Sequence, residues 1–209
     1  MSYELVIFDF DGTLADSFPC FLEAMSEVAR EMRLRPVAAE ELPALRRLSA
    51  REIMARLGLR WWRLPRVARL LRQRMHAQIG TIALFPGIAE MLADLRRSGT
   101  QLALVTSNSE ENVRTVLGPE LAALFSTYEC STSLFGKARR FRRICRRSKV
   151  APESILCIGD ELRDADAARA EALPFGAVAW GYAEAGVLEQ TRPAHIFREP
   201  REITAAVLG

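Results

Sequence analysis

Short, wholly apolar runs recur along this chain, and each stops abruptly at a polar or acidic residue. Leu5-Val6-Ile7-Phe8 stops at Asp9, Leu102-Ala103-Leu104-Val105 at Thr106, and Ile155-Leu156-Cys157-Ile158 at Gly159-Asp160. Runs without polar alternation read as strands buried on both faces. Weaker strand patterns fall at 126–131, at 176–180 and near 195–198. Helical patterns separate them. Ile88, Met91, Leu92 and Leu95 mark one helix face that Gly99 closes; others fall at about 110–117, at 138–148 and from Asp164 onward. Strands alternating with helices imply an α/β fold, a Rossmann-like parallel sheet with helices on both faces.

One stretch breaks the alternation. Over residues 15–83 the pattern is helical throughout, with Phe21, Met25, Val28, Ala29 and Met32 at three- and four-residue spacings. Ser49-Ala50-Arg51-Glu52 has the form of a capping box before Ile53, Met54 and Leu57, and a further helix is expected from about Leu64 to Ile79. The expected organisation is a core of residues 1–14 and 84–209, with a helical insertion over 15–83 after the first strand.

Composition narrows the class. With 49% hydrophobic and 26% charged residues over 209 positions, the chain is of ordinary globular make-up. A chain of this length buries roughly 70% of its unfolded surface and needs no disulfide or metal staple to fold. No apolar window reaches the ~18 residues of a membrane span, and the apolar N-terminal run ends too soon at Asp9 and Asp11 for a signal peptide. Cys20, Cys130, Cys145 and Cys157 form no CxxC pair, which fits unbridged thiols and a cytoplasmic location. The formal charge of +3 permits anionic ligands without requiring nucleic acid.

In open parallel sheets, ligands bind at the carboxyl ends of the strands. This sequence sets Asp9-Phe10-Asp11-Gly12-Thr13 there, with Thr106-Ser107-Asn108, Gly159-Asp160 and Asp164; Lys137 precedes the helix that leads into the Asp160 strand. Clustered carboxylates repel one another unless a cation joins them, and an all-oxygen set suits Mg²⁺. A metal, a free carboxylate and a few donors suit phosphoryl transfer. Simpler readings stand beside this one. Asp11-Gly12 is also a turn signal, Asp16 also an N-cap, and Asp164 also a helix start.

These residues resemble the haloacid dehalogenase-like hydrolases, in particular phosphatases of the phosphoglycolate phosphatase type. Asp9-Phe10-Asp11-Gly12-Thr13-Leu14-Ala15-Asp16-Ser17 is similar to that family's DxDGTxxDS motif, and Gly159 through Asp164 fits GDxxxD. Val105-Thr106-Ser107-Asn108 and Lys137 resemble its second and third motifs. After Lys137 stand Ala138-Arg139 where the family often has KPxP. Lys149, the only other lysine, lies too close to the next strand for this role. The resemblance implies Asp9 as nucleophile, Asp11 as general acid and base, and Lys137 as the bridge between nucleophile and phosphoryl group. It implies phosphate contacts from Thr106, Ser107, Asn108 and Gly12. It further implies a Mg²⁺ ion on Asp9, Asp11 (through its carbonyl), Asp160 and Asp164, with the helical insertion as a cap. The expected activity is Mg²⁺-dependent hydrolysis of a small soluble phosphomonoester by a monomer or homodimer, with no nucleic acid and no membrane. A phosphomutase and a non-catalytic metal-dependent binding module remain as alternatives.

Other features read more blandly. Eight basic residues stand among the thirteen from Lys137 to Lys149, with Ala138, Phe141, Ile144 and Cys145 as an apolar face. A solvated amphipathic helix is favoured over a polyanion site. Trp61 and Trp62 are expected in a core or interface, and His76 and His195 at the surface or in packing. The arginines at 46, 47, 51, 56, 60, 63, 66, 69, 72 and 74 are candidates to grip a second anionic group of the substrate.

Overall fold

The computed structural model describes residues 2–35, 60–130 and 136–209, with Glu41, Ala44, Glu52 and Gly58. The chain divides into two compact units, Met1–Asp16 with Ala83–Gly209, and Ser17–Ile82.

The first unit is a parallel sheet. Its strands are β1 (Leu5–Phe8), β2 (Gln101–Thr106), β3 (Thr127–Cys130), β4 (Ile155–Gly159), β5 (Phe175–Val178) and β6 (His195–Phe197). Their order is β3-β2-β1-β4-β5-β6. The wholly apolar β1 and β4 are buried along their length, with β1 at the centre of the sheet. Register fixes where the neighbouring strand ends lie. Phe8 is opposite both Leu104 and Ile158, so the strands flanking β1 leave the sheet within two residues of Asp9.

Helices cover both faces. In this unit they are α3 (Ile88–Arg97), α4 (Glu110–Ala122), α5 (Lys137–Ser148), α6 (Leu162–Ala170), α7 (Ala185–Glu189) and α8 (Pro200–Leu208). Phe141 and Ile144 of α5 and Ala165 and Ala168 of α6 pack on Leu5, Ile7, Val105 and Cys157 of the sheet. Helices α3 and α8 pack on one another, burying Ile88, Leu92, Ile203 and Val207.

Several boundaries differ from expectation. Helix α6 starts at Leu162 rather than Asp164. Glu161 is its N-cap, and the Glu161 and Asp164 side chains each accept a backbone N–H of the other's position, a reciprocal capping box. Helix α4 runs past Leu117, but Gly118 (φ 71°, ψ 166°) and Pro119 break its regularity there. Strand β5 ends at Val178, and the Trp180 indole N–H donates instead to the Thr13 carbonyl at 3.0 Å. Helix α8 is additional to the expected elements, although Pro200 at its start and Ile203 and Val207 four apart carry its signal. Ala15, Asp16 and Ala83 belong with the sheet, not with the insertion. The reason is pairing of the departing and returning chain: Ala15 bridges Leu84, and the Asp16 amide donates to Ala83 O at 2.8 Å.

The second unit holds α1 (Phe18–Met32) and α2 (Leu64–Ala77), which bury Val28, Met32 and Val67, with Leu70 and Leu71 half-buried against them. Helix α2 stops short of Ile79 because Gln78 leaves helical geometry and a 3₁₀ turn, Ile79–Thr81, comes next. Arg63 donates to Met32 O at 2.9 Å, and Arg74 pairs with Glu27 and Glu31 at 3.2 and 3.0 Å. Trp62, expected in a core or interface, is 54% exposed, with the Arg60 guanidinium over its ring. The helix expected to start near Ser49 and run through Leu57, and the arginines at 46, 47, 51 and 56, lie outside the described residues.

Candidate active site

Asp9 leaves β1 in line with the strand, and its amide still donates to Ile158 O at 2.9 Å. Its carboxylate is buried. Oxygen atoms of Asp9, Asp160 and Asp164 all lie within 4.8 Å of one another. Lys137, the first residue of α5, reaches into this cluster. Its Nζ is 2.6 Å from Asp164 Oδ1 and 2.9 Å from Asp9 Oδ2. The contact to Asp164 is a hydrogen bond. The contact to Asp9 is an ion pair to its buried Oδ2.

Asp160 is held from two sides. Thr13 Oγ1 donates to its Oδ1 at 2.8 Å, and the Tyr182 amide donates to its Oδ2 at 2.7 Å. Gly12 is required beside it. At φ +78°, a Cβ on Gly12 would sit 2.3 Å from Asp160 Oδ2. Asp164 accepts the Glu161 amide at 3.1 Å through its other oxygen.

Burial dominates the electrostatics, because it penalises each charged form. It pushes Asp9 up to about 6 despite the opposing Lys137, and raises Asp160 well above the carboxylate range with help from Glu161 and Asp164. Burial also pushes Glu161 up to about 7 against the pull of Arg163. For Asp164, burial is outweighed by Lys137 and Arg163, and its carboxyl is held low. For Lys137, burial is outweighed by Asp164 and Asp9, which keep the ammonium charged. Three buried carboxylates whose oxygens converge fit a hard divalent cation that prefers oxygen ligands. Asp9, Asp160 and Asp164 have the donor chemistry to hold one.

The Asp11 carboxylate lies outside the three-carboxylate cluster, in keeping with a metal contact expected through its carbonyl only, and accepts from Asn108 Nδ2, 3.2 and 3.4 Å from its two oxygens. Asn108, expected at the phosphate, donates to Asp11 in this structure. Its Oδ1 accepts from the Ser109 amide and from Asn112 Nδ2, both at 2.9 Å, which fixes the direction of its amide. Gly12 is likewise expected at the phosphate, but its N–H donates to Ala15 O at 2.9 Å; its place in the site is steric. Thr106 is buried at the end of β2, and its hydroxyl accepts the Asn108 amide at 3.0 Å. A hydroxyl that accepts still has a proton to donate. Ser107 borders a cavity beside Lys137.

Four further participants have roles that the sequence reading does not assign. Thr13 stands inside the first motif, so its position is signalled. The Tyr182 amide has no sequence signal, because backbone donors carry none. Arg140 is buried and donates to Thr106 O at 2.8 Å. Arg163 pairs with Glu161 at 2.8 Å.

A buried carboxylate, a charged lysine and a carboxylate cluster with the chemistry to hold a cation meet at the carboxyl edge of a parallel sheet. A family model for haloacid dehalogenase-like hydrolases matches residues 6–178. The chain belongs to that family, and within it to the phosphatases. A phosphoglycolate phosphatase of Synechococcus elongatus is 32% identical over 205 residues, covering 98% of this chain and 97% of its own. The phosphoglycolate phosphatase of Escherichia coli K12 is 26% identical, over 97% and 91% of the two chains. Among solved structures, a haloacid dehalogenase-like family hydrolase of Streptococcus pneumoniae superposes with a TM-score of 0.83 at 24% identity, covering 97% of each chain.

Proposed function

We propose that this protein is a Mg²⁺-dependent phosphatase that hydrolyses a small phosphomonoester, phosphoglycolate-like in class, through an aspartyl-phosphate on Asp9. The observation that carries this reading is the Asp9 carboxylate, buried beside Asp160 and Asp164 and approached by Lys137. Names of relatives that match nearly the whole chain support the substrate class.

Asp9 attacks phosphorus with a carboxylate oxygen, and the ester oxygen leaves with the electron pair of the broken P–O bond. Asp11 gives that oxygen its proton. Asp11 then takes a proton from water as the water attacks phosphorus, and the P–O bond to Asp9 breaks to release inorganic phosphate. Asn108 orients Asp11 for both transfers through its amide. Lys137 and Thr106 donate to phosphoryl oxygens, with Arg140 steadying the Thr106 backbone. Bound Mg²⁺ supplies positive charge that neutralises the phosphoryl group and lets an anionic nucleophile approach it.

We read residues 17–82 as an inserted cap that governs substrate choice; insertion directly after the first motif supports this. The thiols of Cys20, Cys130, Cys145 and Cys157 are not joined in disulfides, which supports a cytoplasmic location. Among the described residues, no helix is long and apolar enough to cross a membrane.

The test is phosphate release from a panel of small phosphomonoesters. Release is expected with Mg²⁺, lost with EDTA and restored by excess Mg²⁺. Absence of release across the panel would remove the reading.

A further inference from the structure

Asp160 stands just past β4, and the two groups that hold its carboxylate come from the strands on either side of β4 in the sheet. Thr13 follows β1 and reaches Oδ1; Tyr182 follows β5 and reaches Oδ2. One donor on each oxygen fixes the plane of the carboxylate and leaves each oxygen a further lone pair for a cation. The chain after β5 lies directly against this side chain. A Cβ on Gly181 would sit 2.1 Å from Asp160 Cβ, so only glycine permits the approach, and the Ala183 amide donates to Asp160 O at 3.3 Å.

Two holders carried on separate strands keep a fixed spacing only if something joins them. Trp180 does so. It stands two residues before Tyr182, and its indole N–H donates to the Thr13 carbonyl at 3.0 Å. Thr13 is therefore used in both directions: its carbonyl accepts from Trp180, and its hydroxyl donates to Asp160. The Trp180 ring packs T-shaped against Phe85, with centroids 6.3 Å apart, which restrains the direction of the indole. A hydrogen-bond chain whose members are all satisfied is rigid, and this one runs from the end of β5 through Thr13 to Asp160.

We infer that Trp180 is a positioning residue for Asp160: its indole fixes Thr13 against the chain that follows β5, and Thr13 in turn fixes the direction of the Asp160 carboxylate. The inference rests on the reading of Asp160 as a Mg²⁺ ligand and deepens it, because it extends the metal site to a residue two hydrogen bonds away.

The test is Mg²⁺ binding to substrate-free protein by isothermal titration calorimetry, in wild type, Trp180→Phe, Thr13→Val, Thr13→Ser and the double variant Trp180→Phe/Thr13→Val. Phenylalanine keeps a ring against Phe85 and lacks the donor. Trp180 is half-buried, so this variant is expected to fold. Valine keeps the shape of Thr13 and lacks the hydroxyl. Groups that orient a metal ligand are worth about tenfold to a hundredfold in metal affinity. Thr13→Val should weaken Mg²⁺ within that range, Trp180→Phe by about tenfold, and Thr13→Ser should bind as wild type does. In the Thr13→Val background, Trp180→Phe should cost less than about threefold, because the hydroxyl through which the indole acts is already gone. The same tenfold loss in both backgrounds overturns the inference, as does a Trp180→Phe protein that melts earlier but binds Mg²⁺ as wild type does. Wild type that binds no Mg²⁺ removes the metal reading and the inference together. Wild type that binds Mg²⁺ with the expected coupling, yet releases no phosphate from any ester, upholds the inference while the phosphatase reading falls.

Discussion

Helix α5 carries two sets of cations that sequence alone does not separate. On one side Lys137 and Arg140 are buried, the first against Asp9 and Asp164, the second on the Thr106 carbonyl. On the other, Arg139, Arg142, Arg143, Arg146 and Arg147 line an open depression. Arg142 pairs there with Glu171, and Arg143 and Arg147 pair with Glu129. The residue types are nearly the same, yet their consequences differ. A charge held out of water acts at full strength on its neighbours, whereas an exposed one is screened. Dense basic sequence is therefore a poor guide to function here, and burial is a good one.

The sharpest way to break this contrast is at the centre of the buried set. Asp9→Asn removes the attacking oxygen's charge while keeping its shape. Turnover is expected to fall by at least about 10³-fold, since residues that act as one catalytic unit lose most of the rate when any is removed. Retained turnover in steady-state assays would take the nucleophile away from Asp9. Next comes Lys137→Met. It should lower kcat by about 10²- to 10³-fold, the scale of one lost transition-state donor. It also leaves Asp9 and Asp164 facing one another without their cation, which should cost about 3 kcal/mol by urea denaturation without metal. Added Mg²⁺ should recover part of that stability but little of the rate.

Much of the site is legible in the sequence. Asp9 and Asp160 stand out because apolar runs end there, and parallel strands of matched register must deliver such ends to one edge. Lys137 stands out by its place before a helix. What sequence does not encode is the direction of short polar side chains. Asn108 and Gly12 read in the sequence as phosphate ligands, whereas their contacts to Asp11 and Asp160 carry no sequence signal. Arg163 is hidden for the opposite reason: it fills a free position of GDxxxD, where any residue satisfies the pattern. Arg140 stands two residues past the point at which the chain departs from KPxP. Its burial against Thr106 shows that this departure brings a cation, not merely the loss of proline.

A smaller effect comes from pH. Burial lifts Asp9 from 3.8 to about 6 and lifts Asp160 and Glu161 as well. The metal-free fold therefore holds these protons more tightly than the unfolded chain does. The Asp9 contribution is full below its unfolded value near 3.8 and is lost as pH rises through about 6, and that of Glu161 is full below about 4.5 and is lost toward 7; Asp160 acts in the same direction. For Asp9 this is on the order of 3 kcal/mol. Asp164 runs the other way, but its held-down carboxyl acts below this window. EDTA-treated protein should lose stability between pH 4 and pH 7 in thermal melts, and Mg²⁺ should reverse the loss at pH 7. A metal-free melting temperature that rises across that interval would show that burial does not govern the charge of these carboxyls.

The smallest effect belongs to the outer face of α5. Arg143→Gln removes one partner of Glu129, whose carboxylate is buried on β3, while Arg147 stays 3.5 Å away. It also relieves like-charge repulsion with Arg139 and Arg147, which lie one helical turn away on either side. These terms oppose one another, Arg147 remains to face Glu129, and the Arg143 end of the pair is open to solvent and screened. The melting temperature should move by less than about 3 °C, and kcat/KM for any phosphomonoester the enzyme accepts should stay within about twofold of wild type. A loss of rate comparable to that of Lys137→Met would mean that the exposed arginines act on the substrate through their field. The separation of α5 into a working face and a solvated face would then have to be abandoned.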